Sequence, residues 1–264
     1  MTLLEGGCRV VRLRDRAPAR FGTARVRPLV GRATGTVDIS LRLLEFETGT
    51  SPKIHTGAWD DVWYVLEGEA TLRIDGRDVE VAPGTGIYLG PGTIAVVNVV
   101  TSQPLVVASA CCPEPVGEST SGFGTGSEAH GVAPESAGRL PVVRLDDRRE
   151  QASGDRWYRV LVNEDIGSRR VTQFVGSIPP GRAPDHFHHY EEVIVILAGE
   201  GRQWAGVSCT PIAPGSCIYL PKGQVHCVEN TGSGALVLLG IFYPAGSPAV
   251  AYETGPTTAD DTGD

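Results

Sequence analysis

The sequence predicts an all-β protein made of two related domains, and its internal repeat is the first reason. Residues 61–69, DVWYVLEGE, align with residues 192–200, EVIVILAGE, at an offset of 131 positions. Residues 82–89 align with residues 213–220 at the same offset, so the similarity extends beyond one segment. Solenoid repeats have periods of about 20–50 residues. A period this long therefore indicates that a whole domain was duplicated, and 264 residues suffice for two domains of ordinary size.

Strand signals in both halves are the second reason. Short runs rich in β-branched and aromatic residues, typical of strands, are bounded by turns that contain Gly and Pro. The clearest runs are residues 62–66, 70–74, 193–197 and 235–243. The chain holds 34 Gly and 19 Pro but few stretches with helical periodicity, which favours an all-β fold.

Two of these runs predict strands that are covered on both faces. Residues 62–66 and 193–197 are apolar at every position, whereas a strand with one wet face would alternate. A barrel interior would cover one face. A second sheet, the sister domain or a partner subunit would cover the other, so a homodimer is one of the options that the sequence leaves open.

The repeat also predicts the domain boundaries. Residues 10–13 match residues 142–145 at an offset of 132, so each copy is expected to be complete with its own first strand. The segment between the copies is rich in Gly, Ser, Pro and Glu, which is typical of a linker. The predicted units are an N-terminal domain (1–112), a linker (113–139), a C-terminal domain (140–246) and a disordered tail (247–264).

Charge and hydropathy narrow the classes of partner and location. A net charge of −8 argues against binding to nucleic acid or to an anionic membrane, because both require clustered Lys and Arg. No apolar run approaches the roughly 20 residues that span a bilayer. Residues 1–11 show no signal-peptide pattern, so we expect a cytoplasmic protein that acts on a small molecule.

The cysteines predict buried, reduced thiols. The six residues form no C-x-x-C pair and no disulfide framework. A reactive role is the alternative for the last two, which lie near the candidate metal ligands described next. The six are Cys8, Cys111, Cys112, Cys209, Cys217 and Cys227.

Three histidines and a glutamate in the second copy predict a metal site. His186 and His188 are two residues apart, so in a strand both rings would project from one face. Glu192 follows after a turn, and His226 arrives from a distant strand after a Pro-Lys-Gly turn. Imidazole and carboxylate ligands suit Fe(II), Mn, Ni, Co or Zn. Four protein ligands on an octahedral ion would leave two positions for substrate or dioxygen.

Two motifs around these residues resemble those of the cupin superfamily. Residues 181–199 are similar to the first cupin motif, Gly-x4-His-x-His-x3-Glu-x6-Gly here, with one residue fewer after the leading glycine. Residues 215–230 match the second motif, Gly-x5-Pro-x-Gly-x2-His-x3-Asn. The resemblance implies a bicupin of two tandem jelly-roll β-barrels. It also implies that the metal ligands are His186, His188, Glu192 and His226.

The first copy departs from this pattern, so we expect a single metal ion per chain. Gly57 and Ala95 stand opposite His188 and His226, and only His55 and Asp61 remain as donors. Two ligands hold a divalent ion weakly. The N-terminal domain is therefore predicted to be a scaffold or a dimerisation domain. Its aromatic residues would pack in a core or, alternatively, line a pocket for an organic ligand. They are Trp59, Trp63 and Tyr64.

The site supports three classes of function. The first is a dioxygenase, with Fe(II) favoured, acting on a small enolic, phenolic or 2-oxo compound. The second is a redox-neutral isomerase, cyclase or decarboxylase, with Glu192 detaching to act as a base. The third is a non-catalytic protein that binds a small molecule. Candidate substrate-binding residues are Arg182, Gln203, Trp204 and Tyr219, with Lys222 also placed in a turn beside the second motif.

Overall fold

The computed structural model describes residues 1–115, 122–123 and 141–249. Most of the predicted linker (113–139) and most of the predicted tail (247–264) lie outside these residues. The described residues form β-strands and short 3-10 turns, which confirms the all-β prediction. No helix in this part of the chain is long and apolar enough to cross a membrane.

Strands of the N-terminal half are short and joined by tight turns. They are β1 (Thr2–Leu3), β2 (Arg9–Arg12), β3 (Ala19–Phe21), β4 (Ala24–Val30), β5 (Ser40–Phe46), β6 (Gly49–Thr50), β7 (Ile54–His55), β8 (Asp60–Glu67), β9 (Ala70–Ile74), β10 (Arg77–Val81), β11 (Thr85–Leu89), β12 (Ile94–Val99) and β13 (Leu105–Cys112). The 3-10 turns of this half are Glu5–Gly7 and Arg32–Thr34.

The C-terminal half repeats this order. Its strands are β14 (Val142–Arg144), β15 (Gln151–Ser153), β16 (Arg156–Val162), β17 (Thr172–Ile178), β18 (Gly181–Arg182), β19 (Glu191–Ala198), β20 (Gly201–Ala205), β21 (Ser208–Ile212), β22 (Ser216–Leu220), β23 (His226–Asn230) and β24 (Leu236–Tyr243). Its 3-10 turns are Leu145–Asp147 and Glu164–Ile166.

Each half forms a jelly-roll barrel from a large sheet and a small sheet. In the N-terminal barrel the large sheet has the order β14-β11-β8-β13-β5-β4-β3, and the small sheet contains β10, β9, β12, β6 and β7. In the C-terminal barrel the orders are β1-β2-β22-β19-β24-β17-β16-β15 and β18-β23-β20-β21. The predicted architecture of two tandem jelly-roll barrels is thereby confirmed.

The two large sheets pack against each other, and this packing explains the uninterrupted apolar runs. On β8, Trp63 and Val65 point into the N-terminal barrel, whereas Val62 and Tyr64 belong to a core shared by both halves. Strand β19 is divided in the same way between its barrel and the shared core. The sister domain therefore covers the second face, which was one of the options that the sequence left open.

The barrels also exchange one strand each. Strand β2 pairs with β22 of the C-terminal barrel, with Val10 opposite Ile218. Strand β14 pairs with β11 of the N-terminal barrel, with Val143 opposite Gly86. The repeat predicts that each copy is complete with its own first strand. In the structure, the first strand of each copy instead pairs with the other barrel. Each exchanged strand covers a sheet edge that would otherwise present unpaired backbone groups.

Candidate metal centre

A backbone bridge brings the two histidine segments together. The N–H of His186 donates to the carbonyl of His226 at 3.0 Å, and the N–H of His226 donates back at 2.8 Å. His226 is the first residue of β23, whereas His186 and His188 lie in the irregular segment between β18 and β19. The expected strand geometry for the H-x-H pair is thus replaced by a loop that this bridge fixes.

The three imidazoles converge on one point. Each offers a ligand atom within 4.8 Å of the other two. The ring centroids of His186 and His226 are 4.4 Å apart, and His188 lies 5.0 and 4.9 Å from them. This convergence brings together the three histidines that the sequence predicted as ligands, and their role as ligands stays a prediction.

Backbone carbonyls orient two of these rings. Nδ1 of His186 lies 3.1 Å from the carbonyl of Pro184, and Nδ1 of His226 lies 2.8 Å from the carbonyl of Gln224. A carbonyl can only accept, so each Nδ1 carries the proton. The lone pair is then on Nε2, and an outer hydrogen bond of this kind fixes metal-binding histidines in proteins.

His188 and Glu192 form the other side of the centre. Nδ1 of His188 lies 3.1 Å from Oε2 of Glu192. Neither ring nitrogen of His188 has a hydrogen-bond partner within the described residues, although both are buried. The His188 ring stacks on Tyr190 at 4.6 Å, and Tyr190 stacks on Phe242 at 4.4 Å. The His188 ring is fixed by stacking, and its buried nitrogens make no hydrogen bond within the described residues. Such an imidazole is suited to bind a cation.

Burial keeps the imidazoles in the form that a metal requires. Burial lowers the pKa of His226 to about 3, and the neighbouring His186 adds to this effect. Burial also lowers the pKa of His186. Metal ions bind neutral imidazole. The carboxylate of Glu192 is 3 % exposed and has no Lys or Arg partner in the described chain, and buried carboxylates are normally paired or metal-bound. The residues present therefore fit a divalent ion.

A small cavity of about 100 Å³ opens at this centre. A cavity needs roughly 10–15 Å³ of such volume to hold a single water, so this one has room for several waters and suits a small organic molecule. Most of its wall is apolar, and Arg156 is the only Lys or Arg among the lining residues that the structure describes. The apolar wall includes Trp157, Phe174, Ile178, Ile194, Val228 and Leu238.

In the N-terminal barrel, an arginine occupies the corresponding place. The strand registers make Asp61 the counterpart of Glu192, Arg42 that of Phe174, and Ser109 that of Gly240. Nη2 of Arg42 donates to Oδ2 of Asp61 at 2.5 Å, and the Ser109 hydroxyl donates to Oδ1 at 2.6 Å. A guanidinium therefore neutralises this carboxylate.

Aromatic side chains close the rest of that barrel. The Trp59 ring lies over Gly57, where a Cβ would come within 2.3 Å of the ring. Gly57 is the counterpart of His188. Phe123 is 8 % exposed and stacks on Phe21 at 5.4 Å, so it fills the N-terminal core. Trp63 and Tyr64 also lie in cores, as the packing alternative predicted.

The residues predicted to bind substrate lie outside the cavity. The Arg182 guanidinium stacks on the ring of Trp204 at 4.3 Å and also donates to Asp185 at 3.1 Å. Trp204 donates to Glu229. Gln203 is fully buried, and its amide donates to the carbonyl of Trp204. Lys222 is likewise absent from the cavity wall. Partners on the small sheet and its turns, not a substrate, account for these contacts.

Tyr219 is an interdomain residue. Its hydroxyl donates to Oε1 of Glu191 at 2.5 Å, and the backbone N–H groups of residues 37–39 donate to the same carboxylate at 2.8–3.2 Å. Glu191 therefore points away from the metal centre, as strand parity predicts. His189 is exposed and packs edge-on against Phe187.

Sequence reasoning missed the polar residues that line the cavity beside the predicted ligands, Arg156 and Tyr190 among them. Arg156 begins β16, far from either motif, and no local pattern marks it. Tyr190 lies between His188 and Glu192, where the motif spacing gives it no role. An aromatic residue at the position equivalent to Trp59 is the one signal that could have marked Tyr190.

The fold and the site define a double-barrel protein with one candidate metal centre. The sequence model of the family described as Cupin domain matches residues 42–110 and 174–242, just over half of the chain. The chain therefore belongs to the cupin family, and the predicted bicupin organisation is confirmed.

Solved structures of other proteins show the same fold. A variant of oxalate decarboxylase from Bacillus subtilis has a TM-score of 0.72 at 15% identity, over 92% of this chain and 79% of that chain. Protein Ylba from E. coli has a TM-score of 0.70 at 12% identity, over 92% and 93% of the two chains.

A curated relative is mannose-1-phosphate guanylyltransferase from Salmonella montevideo, which is 21% identical over 196 residues. The match covers 69% of this chain and 37% of that protein, so the chain spans little more than a third of the relative's length. At these identities, the solved structures show the fold alone.

Proposed function

We propose that this protein is a metal-dependent enzyme, a dioxygenase that acts on a small enolic, phenolic or 2-oxo compound. The observation that carries the proposal is the convergence of three imidazoles and a buried carboxylate at one small, largely apolar cavity. We propose Fe(II) as the ion, with Mn, Ni, Co or Zn as alternatives that suit the same donors.

The chain's own residues hold and shield this centre. When bound, Fe(II) would supply chelation of the substrate's adjacent oxygens and activation of dioxygen. His186, His188, Glu192 and His226 would hold the ion. The largely apolar wall lowers the local dielectric constant, which strengthens electrostatic interactions within the cavity.

The choice of dioxygenase over proton-transfer chemistry rests on the cavity wall. An isomerase, cyclase or decarboxylase needs a group that moves a proton. Apart from the four predicted ligands, the lining holds no carboxylate and no imidazole among the described residues. Burial raises the pKa of Tyr190, so its phenol stays protonated at neutral pH and does not serve as a base. Glu192 is then the one carboxylate of the described lining that could move a proton in redox-neutral chemistry.

A redox-neutral lyase is the second candidate, and the fold comparison favours it. A structure of oxalate decarboxylase from Bacillus subtilis is described with Mn(II) centres and matches this chain with a TM-score of 0.72. In this alternative, Glu192 would leave the ion and act as the base. Its carboxylate lies against His188 and Gly240, with no hydrogen bond to another described residue.

Metal analysis and oxygen uptake test the proposal together. Protein purified without chelators is loaded anaerobically with Fe(II), Mn(II) or Zn(II), and metal content and oxygen uptake are measured with small enolic, phenolic and 2-oxo compounds. We expect one ion per chain and uptake by the Fe(II) form. His226→Ala should lose both, and His55→Ala, the matched control in the N-terminal barrel, should keep both.

Each other outcome assigns a different function. Turnover without oxygen in the Mn(II) or Zn(II) form would favour the redox-neutral enzyme. Binding without turnover in every metal form would favour a non-catalytic binding protein. A fully loaded protein that consumes no oxygen with any compound would contradict the dioxygenase.

We further propose that the protein has no nucleic-acid or membrane partner, on the basis of its net charge of −8. A cytoplasmic location stays a prediction. A homodimer stays a prediction. The faces of β8 and β19 that suggested it are covered by the sister barrel, so a dimer would have to use another surface.

A further inference from the structure

Within the part of the chain that the structure describes, Arg156 is the one Lys or Arg that lines the cavity of the candidate metal centre. It shares this wall with all four predicted ligands, His186, His188, Glu192 and His226. Its side chain is 18 % exposed. A guanidinium stays charged at every physiological pH. The cavity therefore holds a permanent positive charge beside the position of the proposed ion.

The charge of Arg156 has no strong partner within the described residues. Its nearest polar contact joins Nε to Oδ1 of the adjacent Asp155 at 3.6 Å, and that carboxylate is 76 % exposed. An exposed pair at this distance contributes little. By contrast, the buried Arg42 binds Asp61 and Ser109 directly. A largely buried guanidinium without a close acceptor costs free energy that an anionic ligand would recover.

Charge balance indicates the sign of that ligand. A divalent ion held by three neutral imidazoles and one carboxylate keeps a net charge of +1, and Arg156 adds another. Among the described residues of the lining, Glu192 is the only carboxylate that could offset this charge. An anion is therefore the complementary ligand.

The shape of the donor indicates a carboxylate. A single planar guanidinium matches a carboxylate through two parallel hydrogen bonds. Phosphate sites commonly add a helix N-terminus, and the described residues next to this cavity form strands and loops. The cavity volume of about 100 Å³ limits the ligand to a small acid, whose carbon skeleton would contact Phe174 and Leu238.

We infer that Arg156 binds a carboxylate of the substrate, so that the substrate is a small organic acid presented to the metal centre by this residue. Calling the bound acid a substrate rests on the proposed function, which makes the protein an enzyme. The binding preference itself depends only on the residues of the cavity.

Calorimetric titration with matched acid and amide pairs tests this inference. The probes are pyruvate with pyruvamide and salicylate with salicylamide, added to Co(II)-loaded protein and to metal-free protein. We expect the loaded wild type to prefer the better-bound acid over its amide by at least about tenfold. Arg156→Gln should lose most of this preference, whereas Arg156→Lys should keep part of it because it retains the charge.

Arg182→Gln is the matched control, because Arg182 lies outside the cavity and should keep the full preference. Equal metal content in all variants would show that the substitution changes the affinity for the acid and not the binding of the metal. The inference is overturned if Arg156→Gln keeps the wild-type preference, if the wild type prefers neither acid, or if inorganic phosphate binds more tightly than both acids.

The two proposals fail separately. If the protein takes up no metal, the proposed function fails, and the metal-free titrations still decide whether Arg156 selects the acids. If metal is present but no oxygen is consumed, the dioxygenase proposal is rejected. The titrations then still test whether Arg156 gives the preference for the acid.

Discussion

Arg42 and Asp61 form a buried ion pair in the N-terminal barrel, with Nη2 and Oδ2 2.5 Å apart. The pair occupies the place that Phe174 and Glu192 hold in the C-terminal barrel. One copy thus satisfies its carboxylate with a side-chain cation, and the other leaves it facing a cavity. The duplicated fold has kept the acid in both barrels while the nature of its partner has changed.

Replacing Arg42 with Met is expected to destabilise the protein without affecting the metal centre. Removing one partner of a buried pair leaves an uncompensated charge, which costs about 3–5 kcal/mol. Urea denaturation measures the loss in free energy of unfolding. The double variant Arg42→Met with Asp61→Leu should be less destabilised, because no buried charge is left. A single variant as stable as the wild type would contradict the assignment.

Gly240→Ala is expected to weaken metal binding. A Cβ at this position would lie 2.3 Å from the Phe174 ring and 2.9 Å from Oε1 of Glu192, so the carboxylate must move. We expect the dissociation constant for the ion to rise by at least about tenfold, measured by competition with a chelator. Gly234→Ala is the control, because its Cβ would meet nothing within 4 Å. Equal affinities in the two variants would count against Glu192 as a ligand.

Tyr219→Phe is expected to lower stability and leave ligand binding intact. The variant removes a hydrogen bond to the Glu191 carboxylate between the barrels, a bond of a kind that contributes about 1.5–3 kcal/mol. Denaturation and calorimetry measure the two properties. Tyr190→Phe is the comparison, because Tyr190 lines the cavity and donates no hydrogen bond to the described residues. Removing the Tyr190 hydroxyl should change ligand affinity more than stability. If Tyr219→Phe instead weakened ligand binding and Tyr190→Phe lowered stability, the two assignments would be wrong.

Thiol labelling should modify one cysteine per native chain. Cys209 is exposed, whereas the other five are buried. Burial raises the pKa of Cys8 and of Cys111 to about 12, so their thiolate fraction stays small up to pH 9. We expect one equivalent of a thiol reagent to react with the native wild type and none with native Cys209→Ala. In urea, the wild type should react with six equivalents. Rapid labelling of Cys227 in the native protein would instead support the reactive role that its place beside His226 suggested.

Local features of the sequence predicted the architecture and the candidate ligand set. Strand character follows from β-branched runs between Gly and Pro turns, and the duplication follows from direct alignment of residues 61–69 with 192–200. His186, His188 and Glu192 lie within seven residues of one another, and His226 is marked by the turn before it. Both signals are short-range, so they can be read without knowing which strands pair.

Long-range pairing decided the rest. The sequence could not show that β2 and β14 exchange barrels, because both copies carry the same strand and edge pairing is chosen only when the sheets assemble. Arg156 reaches the cavity because β16 lies beside β17 in the barrel wall, 30 positions before His186 in the chain. Tyr219 was predicted to contact substrate; the pairing of β22 with β19 places its hydroxyl against Glu191, and Tyr219 is not among the lining residues of the cavity. Which side chains share a cavity depends on contacts between distant segments, and these contacts exist only in the folded chain.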